Sequence, residues 1–544
     1  MKQLLRTFGT DRRGNVAVML ALSAVPLLAA VGAAVDYSGA ANLHSQLQAD
    51  TDSAAIAACK DKTRTAEADL KTISQEVLNG YMPDRVVTIK DFKVTNNPRT
   101  VELTSEVNFP PQFMRFVGNV PISTKATCAA GENHFEIALV LDTTGSMANS
   151  AGTKTKIQAL RESATSFVDT MFASFNIDQV KISLVPFAAS VKVDPATYAT
   201  ASWMDTGGHS SIHWQNVLSA SGNGFTSRFG LFTKLKAKSA SWAWAGCLES
   251  LPYPYNTQDT TPSTATPDTL YVPLFAPDEY GNSADAAYNN NSYLDDGTGS
   301  SSATPTPDCR NDLTNKSTRM GQACKYKTPT DPRTDRPGPN WGCTSRALTR
   351  LTDSKTALTT EIGKLDAAGQ TNIHEGLHWG WRTISNTGVF SDAQPYGARN
   401  ITKVIVLMTD GMNTWTGNSD IYVTKSQYSA YGYFNNANGT KTEKRLPPAY
   451  ADLNDTTDAN ATAKARAAID QLTRETCANA RAKGVTIYTV AFSVSGDSMD
   501  AEGLKMMKEC AGSDDRAFLA TDAASLSKTF SDIAKNIGDL RITR

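Results

Sequence analysis

Residues 16–35 form a run of 20 residues without one charged side chain, interrupted only by Ser23, Pro26 and Gly32. As a helix this run is about 30 Å long, the thickness of a bilayer's hydrocarbon core. Proline and glycine are tolerated in such helices. Ahead of the run stand Lys2, Arg6, Arg12 and Arg13 against the single Asp11, a net charge of +3. Basic flanks stay in the cytoplasm, so residues 1–14 are expected there and the bulk of the chain outside it. A cleaved signal sequence and a buried core helix are the alternatives. Signal cores usually have about 7–15 apolar residues, fewer than this run.

Residues 36–60 contain no proline and are rich in Ala, Leu and Gln. With Leu43, Leu47 and Ala54 at helical spacing, the helix is expected to continue past the membrane as a stalk. Residues 86–94 and 101–109 then read as two strands of a hairpin around Asn96-Asn97-Pro98. Residues 59–130 are therefore a small α+β, pilin-like unit. Cys59 and Cys128 bracket it and are candidates for a bridge.

The charge balance removes one class of function. The 544 residues carry 53 basic and 54 acidic side chains, without the positive surplus of a nucleic-acid binder. Apolar residues make up 40%, enough for a sizeable core and too many for a disordered chain. Eight cysteines, an even number, fit pairing in an oxidising compartment.

From residue 134 strands and helices alternate. Residues 135–141 (FEIALVL) are an almost unbroken apolar strand, as when both faces of a sheet are covered. Strands are also expected at 180–187, 402–408, 485–492 and 516–520, and helices at 156–172, 459–483, 501–510 and 523–536. This pattern implies a mostly parallel α/β sheet with helices on both faces. Residues 198–346 and 413–456 lack lasting periodicity and read as insertions. If residues 190–193 form the antiparallel edge strand, the first insertion leaves from the rim opposite the strand carboxyl ends. Tyr422, Tyr428, Tyr431, Tyr433 and Phe434 in the second are expected either as an aromatic contact surface or as its own small core.

Chemistry is concentrated at three strand ends. The first strand runs into Asp142-Thr143-Thr144-Gly145-Ser146, and residues 404–408 (VIVLM) run into Thr409-Asp410-Gly411. Between them, Gly369-Gln370-Thr371-Asn372 opens a helix. Carboxylates and hydroxyls without nitrogen or sulfur suit a hard cation, Mg²⁺ or alternatively Mn²⁺ or Ca²⁺. Open α/β sheets bind ligands outside the carboxyl ends of their strands.

The D-x-T-x-S loop with distant Thr371 and Asp410 resembles the metal-ion-dependent adhesion site of von Willebrand factor A domains, usually D-x-S-x-S. The resemblance implies a Rossmann-like sheet of six strands. It also implies a site in which Ser146, Thr144 and Thr371 ligate the ion directly or in alternate states, with Asp142 and Asp410 binding it directly or through water. An open coordination position would accept an acidic group from a partner. Residues 12–58 resemble the N-terminal segment of TadG-type proteins of Flp (Tad) pilus assembly. The likeness rests on Arg12-Arg13-Gly14-Asn15, the apolar run, Val35-Asp36-Tyr37 and Leu47-Gln48-Ala49-Asp50-Thr51-Asp52. Those proteins often end in a motif like Leu540-Arg541-Ile542-Thr543-Arg544. This resemblance implies a non-enzymatic accessory protein, single-pass in the bacterial cytoplasmic membrane and exported to the periplasm or cell surface. Its partners would be other pilus-assembly or envelope proteins.

Two other readings compete. A metal-free structural envelope protein needs only the fold. A zinc hydrolase would use His374-Glu375-Gly376-Leu377-His378, which fits H-E-x-x-H. No histidine follows His378 to serve as third ligand, and Gly376 weakens a ligand-bearing helix. Cys247, Cys309, Cys324 and Cys343 form no C-x-x-C pair and allow three pairings as disulfides. Cys477 and Cys510, on helices flanking one strand, are expected to bridge.

Overall fold

The structure, a computed structural model, describes residues 15–61, 64, 66–95, 99–129, 134–175, 179–218, 220–279, 291–294, 320–329, 332–417, 424–435, 444–453 and 458–539. Residues 1–14, the 96–98 turn, Cys309, Tyr422 and the C-terminal residues 540–544 lie outside the described residues. The chain divides into two compact units, Met1–Glu132 and Asn133–Arg544.

In the first unit, α1 (Asn15–Lys60) is one unbroken helix carrying both the apolar run and the stalk. Among the described residues it has the length and composition to cross a membrane. Leu43, Leu47, Thr51, Ala54 and Ala58 are buried along one stripe at three- and four-residue spacing. They pack with α2 (Glu67–Tyr81) and the antiparallel sheet of β1 (Val87–Thr95), β2 (Thr100–Phe109) and β3 (Val120–Ala129). Thr51 adds a polar anchor, its hydroxyl lying 2.5 Å from that of Ser105 and 2.8 Å from that of Thr124. Cys59 and Cys128 are not bridged as expected but stand as free thiols. They adjoin one another, and burial with the neighbouring Cys128 pushes the Cys59 thiol up to about 12.

The second unit holds a six-stranded sheet. Its strands are β4 (His134–Asp142), β5 (Val180–Phe187), β6 (Thr349–Thr352), β7 (Ile401–Thr409), β8 (Thr486–Phe492) and β9 (Ala517–Ala520), in the order β6-β5-β4-β7-β8-β9. Only β6 runs antiparallel to its neighbour. Alternation along β4 divides the core. Phe135, Ile137, Leu139 and Leu141 pack with α3 (Lys156–Ser174), α4 (Lys355–Gly363) and α5 (Ala523–Asp539). Ala138 and Val140 face α6 (Ile373–Thr383), α7 (Asp458–Ala482) and α8 (Ala501–Ala511). Gly376 and Gly380 let α6 lie directly on the sheet. A Cβ there would come within 2.5 Å of Phe187 and 2.3 Å of Val140.

The edge strand differs from expectation. It is β6, whereas residues 190–193 form only isolated bridges, among them Lys192 with Ala347 and Cys247. Because β6 pairs Leu184 with Thr349 and Ile182 with Thr352, its first residue lies toward the carboxyl end of β5. The insertion between them thus leaves and returns at the carboxyl ends, not at the opposite rim. Its described residues are packed, with Trp242, Tyr271, Tyr293 and Tyr326 buried. A bridge joins Cys247 to Cys343, and another joins Cys477 of α7 to Cys510 of α8. Cys324 is also disulfide-bonded.

The two insertions pack on each other. Glu249 accepts hydrogen bonds from Arg228, Arg445 and Tyr428, all four groups being buried. Tyr428, Tyr431, Tyr433 and Phe434 are at most 2% exposed, so they form core rather than a contact surface. Trp415 packs against Tyr431 and Phe434 at ring distances of 5.5 and 4.8 Å.

Candidate functional site

Between β4 and β7 the order of connection reverses: β4 leads to β5 on one side, and β7 leads to β8 on the other. The crevice at such a switch point is the usual ligand position in an open α/β sheet. Asp142 ends β4, and Asp410 directly follows β7.

Three loops lock together there. The Gly145 N–H donates to the Gly369 carbonyl at 2.9 Å, and the Ala368 N–H to that of Thr143 at 2.9 Å. The Thr371 N–H donates to Thr414 Oγ1 at 2.8 Å, and the Thr414 N–H returns to the Thr371 carbonyl at 2.8 Å. Asn372 caps α6 by accepting from the Glu375 N–H, which fixes Thr371 one residue before the cap. A cleft of about 380 Å³ opens at this point, lined among others by Ser146, Thr371, Asp410, Met412, Asp497 and Met499.

Ser146 Oγ donates to Asp410 Oδ1 at 2.7 Å and lies 3.1 Å from Thr144 Oγ1. Ser146 Oγ thus stands within hydrogen-bond distance of both other oxygens, where all could face one small cation. Asp142 is fully buried; its oxygens accept from the Thr144 N–H at 2.8 Å and the Thr409 hydroxyl at 2.6 Å. Burial, then the nearby Asp410 carboxylate, pushes Asp142 up to about 7. Burial also raises Asp410, against the pull of Lys156. A cation between these groups would relieve both effects. The donor set therefore fits a hard divalent ion. It depends on hydroxyls: among the described residues, no group of three or more His, Cys, Asp or Glu could hold a metal.

Two polar residues of the site were not singled out by sequence. Lys156, the first residue of α3, is fully buried, its Nζ 2.9 Å from Asp410 Oδ2 and 2.6 Å from Asp497 Oδ2. Asp497, in the loop after β8, also accepts from Asn149 Nδ2 at 2.8 Å. A lysine at a helix N-terminus opposes the helix dipole, and that local misfit is the signal that could have marked it. Asp497 carries no comparable signal.

The H-E-x-x-H residues lie inside the protein, at most 1% exposed. His374 uses both ring nitrogens, 2.7 Å from the Tyr431 hydroxyl and 2.9 Å from the Asn256 carbonyl. His378 Nε2 lies 2.7 Å from the Tyr271 hydroxyl. Burial holds His374 down at about 4 and His378 well below the usual range. Both are packed as neutral hydrogen-bonding core residues.

Fold and site together define an α/β protein with a long apolar N-terminal helix and an oxygen-lined cleft at its sheet switch point. Residues 14–62 match the family model described as putative Flp pilus-assembly TadE/G-like. No curated protein matches the chain. Among solved structures, the chain is similar to the PilB minor pilin from Streptococcus sanguinis, at 12% identity and TM-score 0.31, covering 84% of this chain and 78% of that one. It is also similar to the vWF domain of the type V pili tip protein Mfa5 from Porphyromonas gingivalis, at 13% identity and TM-score 0.32, covering 76% and 97%. Likeness at this level carries no functional conclusion.

Proposed function

We propose that the chain is a membrane-anchored accessory protein of Flp/Tad pilus assembly or adhesion. In this reading the second unit is a Rossmann-like von Willebrand A domain that binds a partner through a metal-ion-dependent adhesion site. The sheet order, with one antiparallel edge strand and helices on both faces, supports the domain assignment. The match over residues 14–62 supports the pilus role. The apolar part of α1 supports a single-pass anchor, with the bulk exported.

One observation carries the binding reading: Ser146 Oγ lies 3.1 Å from Thr144 Oγ1 and 2.7 Å from Asp410 Oδ1, beside buried Asp142. These residues and Thr371 would hold Mg²⁺, or Mn²⁺ or Ca²⁺. The bound ion would supply an open position for a partner's carboxylate. The protein's own part is to orient the oxygens, which the interlocked loops do without further folding. A metal-free structural role is the second reading, favoured by Lys156, which already gives Asp410 a cation.

The test is an Asp142→Ala chromosomal variant in the source bacterium. The binding reading expects normal amounts of protein but defective pilus assembly or adhesion. Normal pili and adhesion would leave the structural role.

A further inference from the structure

Just beyond the apolar run, Asp36 is buried, and it is buried by a loop. Its carboxylate accepts from the backbone N–H groups of Gln112, Phe113 and Met114 at 2.8, 3.0 and 2.8 Å. One turn back along α1, a Cβ on Gly32 would lie 2.8 Å from the Cβ of Phe113. Gly32, Asp36 and Gly39 share a helix face, and Phe109 closes on Gly39 in the same way. The loop between β2 and β3 thus docks on α1 down to residue 32, inside the apolar run.

This contact fixes depth. If residues 16–35 fill the hydrocarbon core, Gly32 lies about 5 Å inside its outer edge, at 1.5 Å per residue. Phe113 cannot touch Gly32 without entering that layer. The loop's composition suits it. Phe113, Phe116 and Val117 are 63%, 87% and 53% exposed, large apolar groups with no protein over most of their surface. Tyr37, 78% exposed, stands at the level where aromatic side chains favour the bilayer interface. Arg115 between the phenylalanines is exposed, and can extend its guanidinium to lipid phosphates while its stem stays apolar.

Part of the loop's backbone is satisfied within the unit. Pro110 and Pro111 have no N–H, and Asp36 takes the next three. Val117 and Gly118 donate to the Met114 and Arg115 carbonyls at 3.0 and 3.2 Å. Unpaired N–H groups at this depth are costly.

We infer that residues 112–118 are a second membrane contact, with Phe113, Phe116 and Val117 seated in the outer interface of the bilayer that α1 crosses. Asp36 is the residue that positions the loop there. The inference rests on the anchor reading of α1. Two contacts at different azimuths hold the first unit at a fixed tilt and rotation on the membrane surface, which a single helix cannot do.

The test is photo-crosslinking of the full chain in native membranes, with benzophenone-alanine placed singly at Leu28, Phe116, Val117 or Val86. Leu28 lies within the run, and Val86 is an exposed apolar residue of the same unit outside the loop. Lipid adducts are read by mass spectrometry. Probes at 116 and 117 are expected to give lipid adducts at least about tenfold above position 86, as for groups seated about 5–10 Å into the interface. Lipid adducts at 28 but not at 116 or 117 overturn the loop contact alone. None at 28 overturns the anchor reading instead. Adducts at 116 and 117 only to another protein would make this loop a protein-docking surface and overturn the lipid assignment.

Discussion

The ammonium of Lys156 lies 2.9 Å from Asp410 across a sequence distance of 254 residues, with neither side chain exposed. It reaches Asp497 as well. Asp410 and Asp497 thus share one built-in cation, and the buried Asp142 carboxyl stands near Asp410 without that partner. Lys156 keeps the metal-free site tolerable, and by repulsion it would weaken the hold on an ion placed there.

Replacing Lys156 by Met separates these effects. Breaking a buried pair by removing one partner costs about 3–5 kcal/mol, so the metal-free variant should unfold earlier. Saturating Mg²⁺ should recover part of the loss, and affinity should rise at least about tenfold once the like charge is gone. Thermal melts with and without Mg²⁺ read both. Equal Mg²⁺ shifts in wild type and variant would mean that Lys156 does not face the ion.

Much of this site was legible before any coordinates. Parallel strands covered on both faces leave unbroken apolar runs, so β4 and β7 and the carboxylates at their ends stood out. Lys156 did not, because its partner lies 254 residues away and no local period connects them. The insertions were illegible for another reason. Their aromatic residues pack through short turns and single bridges such as Leu248 with Pro273, so Tyr431 and Tyr433 looked equally suited to surface or core.

Glu249 ties those insertions together. A Glu249→Ala change strands the Arg228 and Arg445 guanidiniums in the interior. The expected cost is about 3–5 kcal/mol. Limited proteolysis should then cut within residues 198–346 while the sheet core survives. Unchanged protection would show that the disulfides alone hold the insertions.

Glu279 gives a pH signature away from the cleft. Burial pushes its carboxyl up to about 8, whereas the unfolded chain releases that proton near the ordinary value of about 4.3. Between these values the folded state binds more protons, so stability falls as pH rises. The contribution is complete below about pH 4.3 and is lost as pH rises through about 8. Glu279→Gln keeps the neutral shape and removes the titration. Denaturant melts should therefore show the variant gaining on wild type by a few kcal/mol between pH 5 and pH 8.5. A constant difference across that range would place the ionised form in the folded state.

The most direct measurement is divalent-ion binding to the full chain in detergent with its disulfides oxidised. Wild type, Asp142→Ala and His378→Ala would be titrated with Mg²⁺, Mn²⁺ and Zn²⁺. The adhesion-type site expects one Mg²⁺ or Mn²⁺ per chain, lost with Asp142→Ala and kept with His378→Ala. No Mg²⁺ or Mn²⁺ uptake by wild type, or tight zinc that disappears only with His378→Ala, would contradict it.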